Sequence, residues 1–216
     1  MEPTVYDDFQ LNLDHDALTE KMRLKPGSKR AADFELMLQD AEKIARPKAA
    51  IMACSPVLVE TNQIRLGNTL FVSELLWEKI RNIRVVYPYL VTCGVELDQW
   101  ARSFDDAGNF TARFMADEIM LKIMLNAQKQ LVARVTAIAG QGKLARVNPG
   151  FQSTWPITEQ KTFFELMGDL PDRLEVQLTP SFLMNPAKST TGIMYPSDED
   201  FDEDKEERML AELYKA

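Results

Sequence analysis

The run IRVVYPYLVT, residues 83–92, is apolar at positions that face both ways from an extended chain, and it closes on Cys93-Gly94. A strand with one face in water alternates apolar and polar residues, whereas a run without alternation is covered on both faces. The stretch is read as a buried strand inside a sheet. Pro88 argues against it, because a proline nitrogen has no proton to give to a ladder. What covers the two faces is read from the flanking sequence.

Upstream, Phe34, Met37, Leu38, Ala41, Ile44 and Ala45 recur at three- and four-residue spacing, with Ser28 as N-cap and Arg46-Pro47 as stop. That predicts an amphipathic helix over residues 28–45, and a shorter one over 14–24 that ends at Lys25-Pro26-Gly27. Residues 49–59 and 63–66 are rich in β-formers around Glu60-Thr61-Asn62, the pattern of a β-meander, and Ser73 caps a short helix over 74–81. Downstream, residues 95–105 are helical, Gly108 ends that element, and Asn109 begins a long helix reaching about Ala137. Its stripe of Phe110, Phe114, Leu121 and Leu125, with Met115, Met120 and Met124 beside it, gives a broad apolar arc. This predicts the central helix of the core, its methionines packing rather than forming a plastic binding surface.

Past Ala139 the texture changes to Gly140, Gly142, Asn148, Pro149, Gly150 and Pro156, which reads as one long irregular loop. Thr158 is the expected N-cap of a helix to Met167, ended by Gly168. Leu174, Val176 and Leu178 alternate with Glu175, Gln177 and Thr179, predicting a half-buried strand with antiparallel neighbours. Residues 181–184 and 190–194 are further strands around Asn185-Pro186. The expected fold is α/β (α+β): an antiparallel or mixed twisted sheet packed with the helices that start at Ser28, Asn109 and Thr158.

The 216 residues, 45% hydrophobic and 27% charged, suit one domain over 1–196 followed by an acidic segment over 197–216. Within SDEDFDEDKEER, residues 197–208, eight acids oppose Lys205 and Arg208, a net −6 out of −8 for the chain. A near-neutral body argues against nucleic acid and against an anionic membrane surface, both of which require concentrated Lys and Arg. The acidic run itself reads as a solvated tail or as a docking element for a basic partner. The apolar runs fall short of the roughly 20 residues of a membrane helix. Cys54 and Cys93 are too far apart for a CxxC pair, and no basic-then-apolar leader is present, so a cytoplasmic setting is expected.

His15 is the only histidine. Between Asp14 and Asp16 it could be an activated base, but helix-start signals account for it more readily. One histidine cannot build a multi-histidine metal centre, and no metal site is expected. No GxGxxG or GxxxxGK[ST] cradle occurs, Gly140-Gln141-Gly142-Lys143 is a helix stop, and Lys188-Ser189-Thr190 reads as an ordinary strand edge more readily than as a phosphate site.

What remains is Arg146-Val147-Asn148-Pro149-Gly150-Phe151, followed by Trp155-Pro156 and Thr158-Glu159-Gln160. A guanidinium four residues before a glycine and five before an aromatic offers a fork for a carboxylate, backbone groups for the edge of a heterocycle, and a ring to stack on it. A small zwitterionic ligand with an aromatic base suits that set.

The segment RVNPGFQSTWPITEQKTFFELM, followed by VQLTPSFLMNPAKSTTGIMY, resembles the activation (reactivation) domain of cobalamin-dependent methionine synthase and its free-standing relatives. Arg146, Pro149 and Gly150 match the family pattern R-x-x-P-G-Y. Leu178, Thr179, Ser181, Met184, Pro186, Ser189 and Gly192 match its L-T-x-S-x-x-M-x-P-x-x-S-x-S-G. The resemblance implies the fold of that domain and a site for S-adenosylmethionine lined by Arg146, Asn148, Pro149, Gly150 and Phe151, with Glu118 on the long helix as an acidic candidate. It implies the family's task, which is to restore a methylated cobalamin when the cofactor of a methyltransferase has lost an electron. Arg146 then takes the ligand carboxylate, and Phe151 occupies the catalytic position beside the transferred methyl. Family members present a tyrosine there, so Phe151 keeps the ring and lacks the hydroxyl.

His15 is in no D-x-H-x-x-G context, so the cobalamin is expected on a partner, a cobalamin-carrying methyltransferase served by a flavodoxin- or ferredoxin-type electron donor. Two alternatives stand beside this reading. One is a non-catalytic interaction protein that keeps the fold and docks to a corrinoid methyltransferase; the other is an unrelated methyltransferase acting on a small molecule.

Overall fold

The computed structural model describes residues 3–140, 142–150 and 155–197, and its centre is the strand expected from residues 83–92. The chain begins with β1 (Thr4–Tyr6), α1 (His15–Lys21), α2 (Lys29–Ile44) and β2 (Lys48–Ile51). It continues through β3 (Val57–Glu60), β4 (Gln63–Leu66), β5 (Thr69–Val72), α3 (Glu74–Ile80), β6 (Tyr87–Thr92), α4 (Val95–Asp106) and α5 (Phe110–Ala139). It then forms β7 (Leu144–Val147), a 3-10 turn (Ile157–Glu159), α6 (Gln160–Met167), α7 (Leu170–Arg173), β8 (Gln177–Leu178), β9 (Met184–Asn185) and β10 (Ser189–Pro196).

Five strands form one antiparallel sheet in the order β1-β2-β6-β10-β7, so β6 is its middle strand. Every residue of β6 is buried because alternate side chains enter two different cores. Tyr87, Tyr89 and Val91 join the core under α1, α2, α4 and α5, while Val86 and Leu90 join a second core with α3, α6, α7 and the small sheet β3-β4-β5. The fold is α/β with antiparallel sheets, as expected. Pro88 is tolerated at the middle of the sheet because it faces β2 one residue beyond the last regular pair, Ile51 with Tyr89. Its carbonyl still accepts from Met52 N–H at 3.1 Å.

Helix ends follow the sequence signals closely. Asp14, Ser28, Ser73 and Asn109 each accept from a backbone N–H three residues on. Gly140 closes α5 at φ 63. Burying Phe34 and Leu38 of α2 contributes about 1.5–3 kcal/mol each.

Other expectations change. Residues 49–59 are not one arm of a meander: β2 belongs to the large sheet, an isolated bridge joins Cys54 to Val86, and past Pro56 the chain enters β3 of a separate three-stranded sheet completed by β5. Phe110 and Phe114 are exposed at 76% and 61%, because they lie outside the buried arc of α5, whose first turns are covered on the side of Ala112, Met115 and Ala116. Met115, Met120 and Met124 are the buried face. The stretch after Ala139 is not all loop, since Leu144–Val147 pairs with β10 as β7. Thr158 is not an N-cap; it lies within a 3-10 turn that leads into α6. The alternation over 174–179 is a mimic. Leu174 is the C-cap of α7, Glu175 takes φ 58, and only Gln177–Leu178 pairs, with β9. The acidic segment beyond Ser197 lies outside the described residues.

Both cysteines are buried and unbridged, and burial pushes both thiols up, which disfavours the thiolate form. Among the described residues no helix is long and apolar enough to cross a membrane, and no cluster of His, Cys, Asp and Glu could hold a metal ion.

Candidate functional site

The Arg146 turn leaves the sheet from β7, the edge strand beside β10. Register pairs Arg146 with Met194 and Val147 with Ile193. Alternation then sends Leu144, half-buried Arg146 and Asn148 to the side of the sheet that carries Tyr89 and α5. One residue past that last pair, Asn148 is 8% exposed and its amide is turned inward. Nδ2 donates to Tyr89 Oη at 2.6 Å and to the Thr191 carbonyl at 2.7 Å. Gln128 Nε2, from α5, donates to the same Tyr89 oxygen at 3.1 Å. Burial pushes the Tyr89 phenol up, while the nearby Arg146 charge and the bonds from Asn148 and Gln128 pull it partly back.

Gly192 is what makes this approach possible. It pairs with Tyr89 across the strands, and a Cβ there would lie 2.6 Å from Asn148 Nδ2, 2.6 Å from the Val147 carbonyl and 2.8 Å from Tyr89 Oη. The Asn148–Tyr89 bond passes over a residue that has no side chain to block it. The matched glycine of the second motif thus has a local physical reason.

Pro149 is buried, and Gly150 takes φ 89 with its missing Cβ facing Ile157 Cδ1 at 2.8 Å. Its N–H donates to the Trp155 carbonyl at 2.8 Å. Trp155 is fully buried, edge-on to Phe71 at 6.3 Å and tilted against Phe163 at 6.5 Å. From the opposite face, Thr191 Oγ1 donates to the buried Gln160 Oε1 at 2.7 Å, which ties the start of α6 to β10. Burial raises the neighbouring Glu159 carboxyl, with a bond from Thr162 opposing it. The turn is held at both of its described ends, by hydrogen bonds at Asn148 and by aromatic packing at Trp155. Phe151 falls among residues 151–154, outside the description.

The structure thus places Arg146 at the end of β7 and Asn148, Pro149 and Gly150 directly after it, at the start of the turn. Glu118 sits ten residues before Gln128 on α5, about 15 Å along the axis, and its Oε2 lies 3.0 Å from Lys21 Nζ of α1, an ion pair between helices. Lys188-Ser189-Thr190 makes no anion cradle. Buried Lys188 Nζ is 2.7 Å from Asp117 Oδ2, and Ser189 Oγ donates to the Pro186 carbonyl at 2.8 Å and contacts Thr92 Oγ1 at 2.9 Å. His15 lies between Glu35 and Glu42, at 3.0 and 3.4 Å. Tyr89 and Gln128 escape sequence reading, whereas Gln160 stands within the stretch that the sequence singles out. A lone glutamine on the apolar arc of α5 was a signal for Gln128, beside the matched Gly192 of the second motif.

No family model matches this sequence, and no curated protein matches it. Among solved structures, the crystal structure of the MetH reactivation domain bound to AdoHcy is similar, with a TM-score of 0.61 and 16% sequence identity, covering 91% of this chain and 78% of that one. At that identity what is shared is the fold.

Proposed function

We propose that this chain is an S-adenosylmethionine-binding reactivation factor that supports reductive remethylation of the cobalamin of a corrinoid-dependent methyltransferase. The observation that carries the reading is the Arg-x-x-Pro-Gly sequence at the sheet edge of a fold whose solved counterpart holds AdoHcy, the product left when S-adenosylmethionine gives up its methyl. The residues present fit such a ligand. Arg146 supplies a charged fork for the amino-acid carboxylate. A Cβ at Gly150 would collide with Ile157 Cδ1 at 2.8 Å, so the glycine lets the turn pack there, and since its N–H is committed to Trp155, the carbonyl oxygens of the turn are the acceptors for a purine amine. Phe151 follows immediately, where a ring can stack on the base and flank the sulfonium. The ligand, when bound, supplies an electrophilic methyl. The work of this chain is to orient it and to present it to a cobalamin carried by a separate cytoplasmic methyltransferase, with electrons from a flavodoxin- or ferredoxin-type donor.

The test is transfer of labelled methyl from S-adenosylmethionine to an oxidised, inactive corrinoid methyltransferase in the presence of a reductant. Label should reach the corrinoid only when this chain is added, and no dependence on the chain sinks the reading. A second reading, a non-catalytic docking protein, is favoured by Phe151 where the family presents a tyrosine. It predicts a native chain that binds the methyltransferase without promoting transfer, and that gains transfer in Phe151→Tyr.

A further inference from the structure

We infer that Tyr89 and Gln128 are positioning residues for the ligand turn, acting through Asn148, whose side-chain donors are spent inside the fold rather than on the ligand. The inference rests on the functional reading above. Three distant elements meet at one oxygen. Tyr89 Oη, fully buried in the middle strand, accepts from Gln128 of the long helix and from Asn148 at the exit of the edge strand. An amide NH2 has two protons, and those of Asn148 are taken by Tyr89 Oη and the Thr191 carbonyl, so the Asn148 side chain has no donor left for a ligand. What remains for recognition is the Asn148 side-chain oxygen, an acceptor, and the backbone of 148–150, and the clamp fixes both between Arg146, which carries the fork, and Gly150, whose positive φ shapes the turn.

Two further observations point to a selected arrangement. Among the buried residues of α5, Gln128 alone is polar, in a helix face where leucine or methionine would pack without any partner. Gly192 is held free of a side chain where the clamp crosses β10. A purely structural sheet edge requires neither.

Tyr89→Phe removes one oxygen and keeps the ring. Affinity for S-adenosylhomocysteine should fall about tenfold, the equivalent of one buried hydrogen bond, and hydrogen exchange at the Gly150 amide should quicken. Ile80→Val, in the opposite core, is the control: a matched loss of melting temperature should leave affinity unchanged. In an Asn148→Ala background Tyr89→Phe should add little further loss, as expected of residues acting in series. Should Tyr89→Phe fail to fold, Gln128→Met carries the same prediction. If the native chain binds and both variants bind as tightly with unchanged exchange at Gly150, the clamp is overturned. If the native chain binds no S-adenosylhomocysteine while Tyr89→Phe still quickens that exchange, the functional reading is overturned and the clamp stands.

Discussion

β10 passes through two buried polar clusters only a few residues apart, and they differ in kind. At its start, Lys188 pairs with Asp117, which also bonds Arg113, while Ser189 meets Thr92, and Asp98 accepts from Arg102 and from Ala187 N–H. That cluster is charged and closes on itself, joining α4 and α5 to the sheet. Around Gly192 the cluster is neutral, built from Tyr89, Asn148, Gln128 and Thr191, and it ends on the backbone of a turn. Buried polarity alone therefore does not mark a site. What distinguishes the second cluster is that its bonds set the shape of a segment that carries an arginine and a positive-φ glycine.

The contrast breaks most sharply at Lys188. Lys188→Met strands Asp117 beside a buried surface and should destabilise the fold by about 3 kcal/mol, toward the low end for a broken buried pair because Asp117 keeps Arg113 and some solvent. Urea unfolding measures this, and affinity for S-adenosylhomocysteine should not move. A parallel loss of affinity would show that the two clusters are one unit. Gly192→Ala probes the other end. A Cβ 2.6 Å from both Asn148 Nδ2 and the Val147 carbonyl must push the edge strand outward, at a cost of about 2–3 kcal/mol, and here stability and ligand affinity should fall together.

Arg146→Ala should separate them again. It should remove about 2 kcal/mol of charged hydrogen bonding to the ligand, so affinity for S-adenosylhomocysteine should fall further than the unfolding free energy does. The smallest effect lies away from both clusters, at His15. Burial alone would lower its pKa, yet Glu35 and Glu42 outweigh that and hold it above the ordinary 6.5. A raised folded pKa stabilises fully below about pH 6.5 and is lost as pH rises through the folded value. The effect stays under about 1 kcal/mol because solvent screens the group. Urea midpoints between pH 5.5 and 8.5 should show this slope in the native chain and lose it in His15→Gln.

Legibility in the sequence followed the range of the interactions. The helices at residues 28–45 and 109–137 were readable because caps and periodicity are local, and the middle strand because covering on both faces removes alternation. β7 was hidden, since a four-residue edge strand between glycine-rich flanks resembles a loop. The alternation around Leu174 misled because a helix end followed by a turn can also bury every second residue. At the candidate site the Arg146 turn stood out by composition, but Tyr89 and Gln128 did not. Their partners lie 59 and 39 residues away in the chain, and nothing local announces such contacts. The resemblance did single out Gly192; only the geometry gave the reason, a bond crossing above it.

The central claim, that the Arg146 turn is a site for S-adenosylmethionine chemistry, is tested most directly by calorimetric titration of S-adenosylhomocysteine into the full chain and into Arg146→Ala. The account predicts saturable binding by the native chain, weakened about 10- to 100-fold by the substitution. No heat with the native chain, or equal affinity for both proteins, would contradict it.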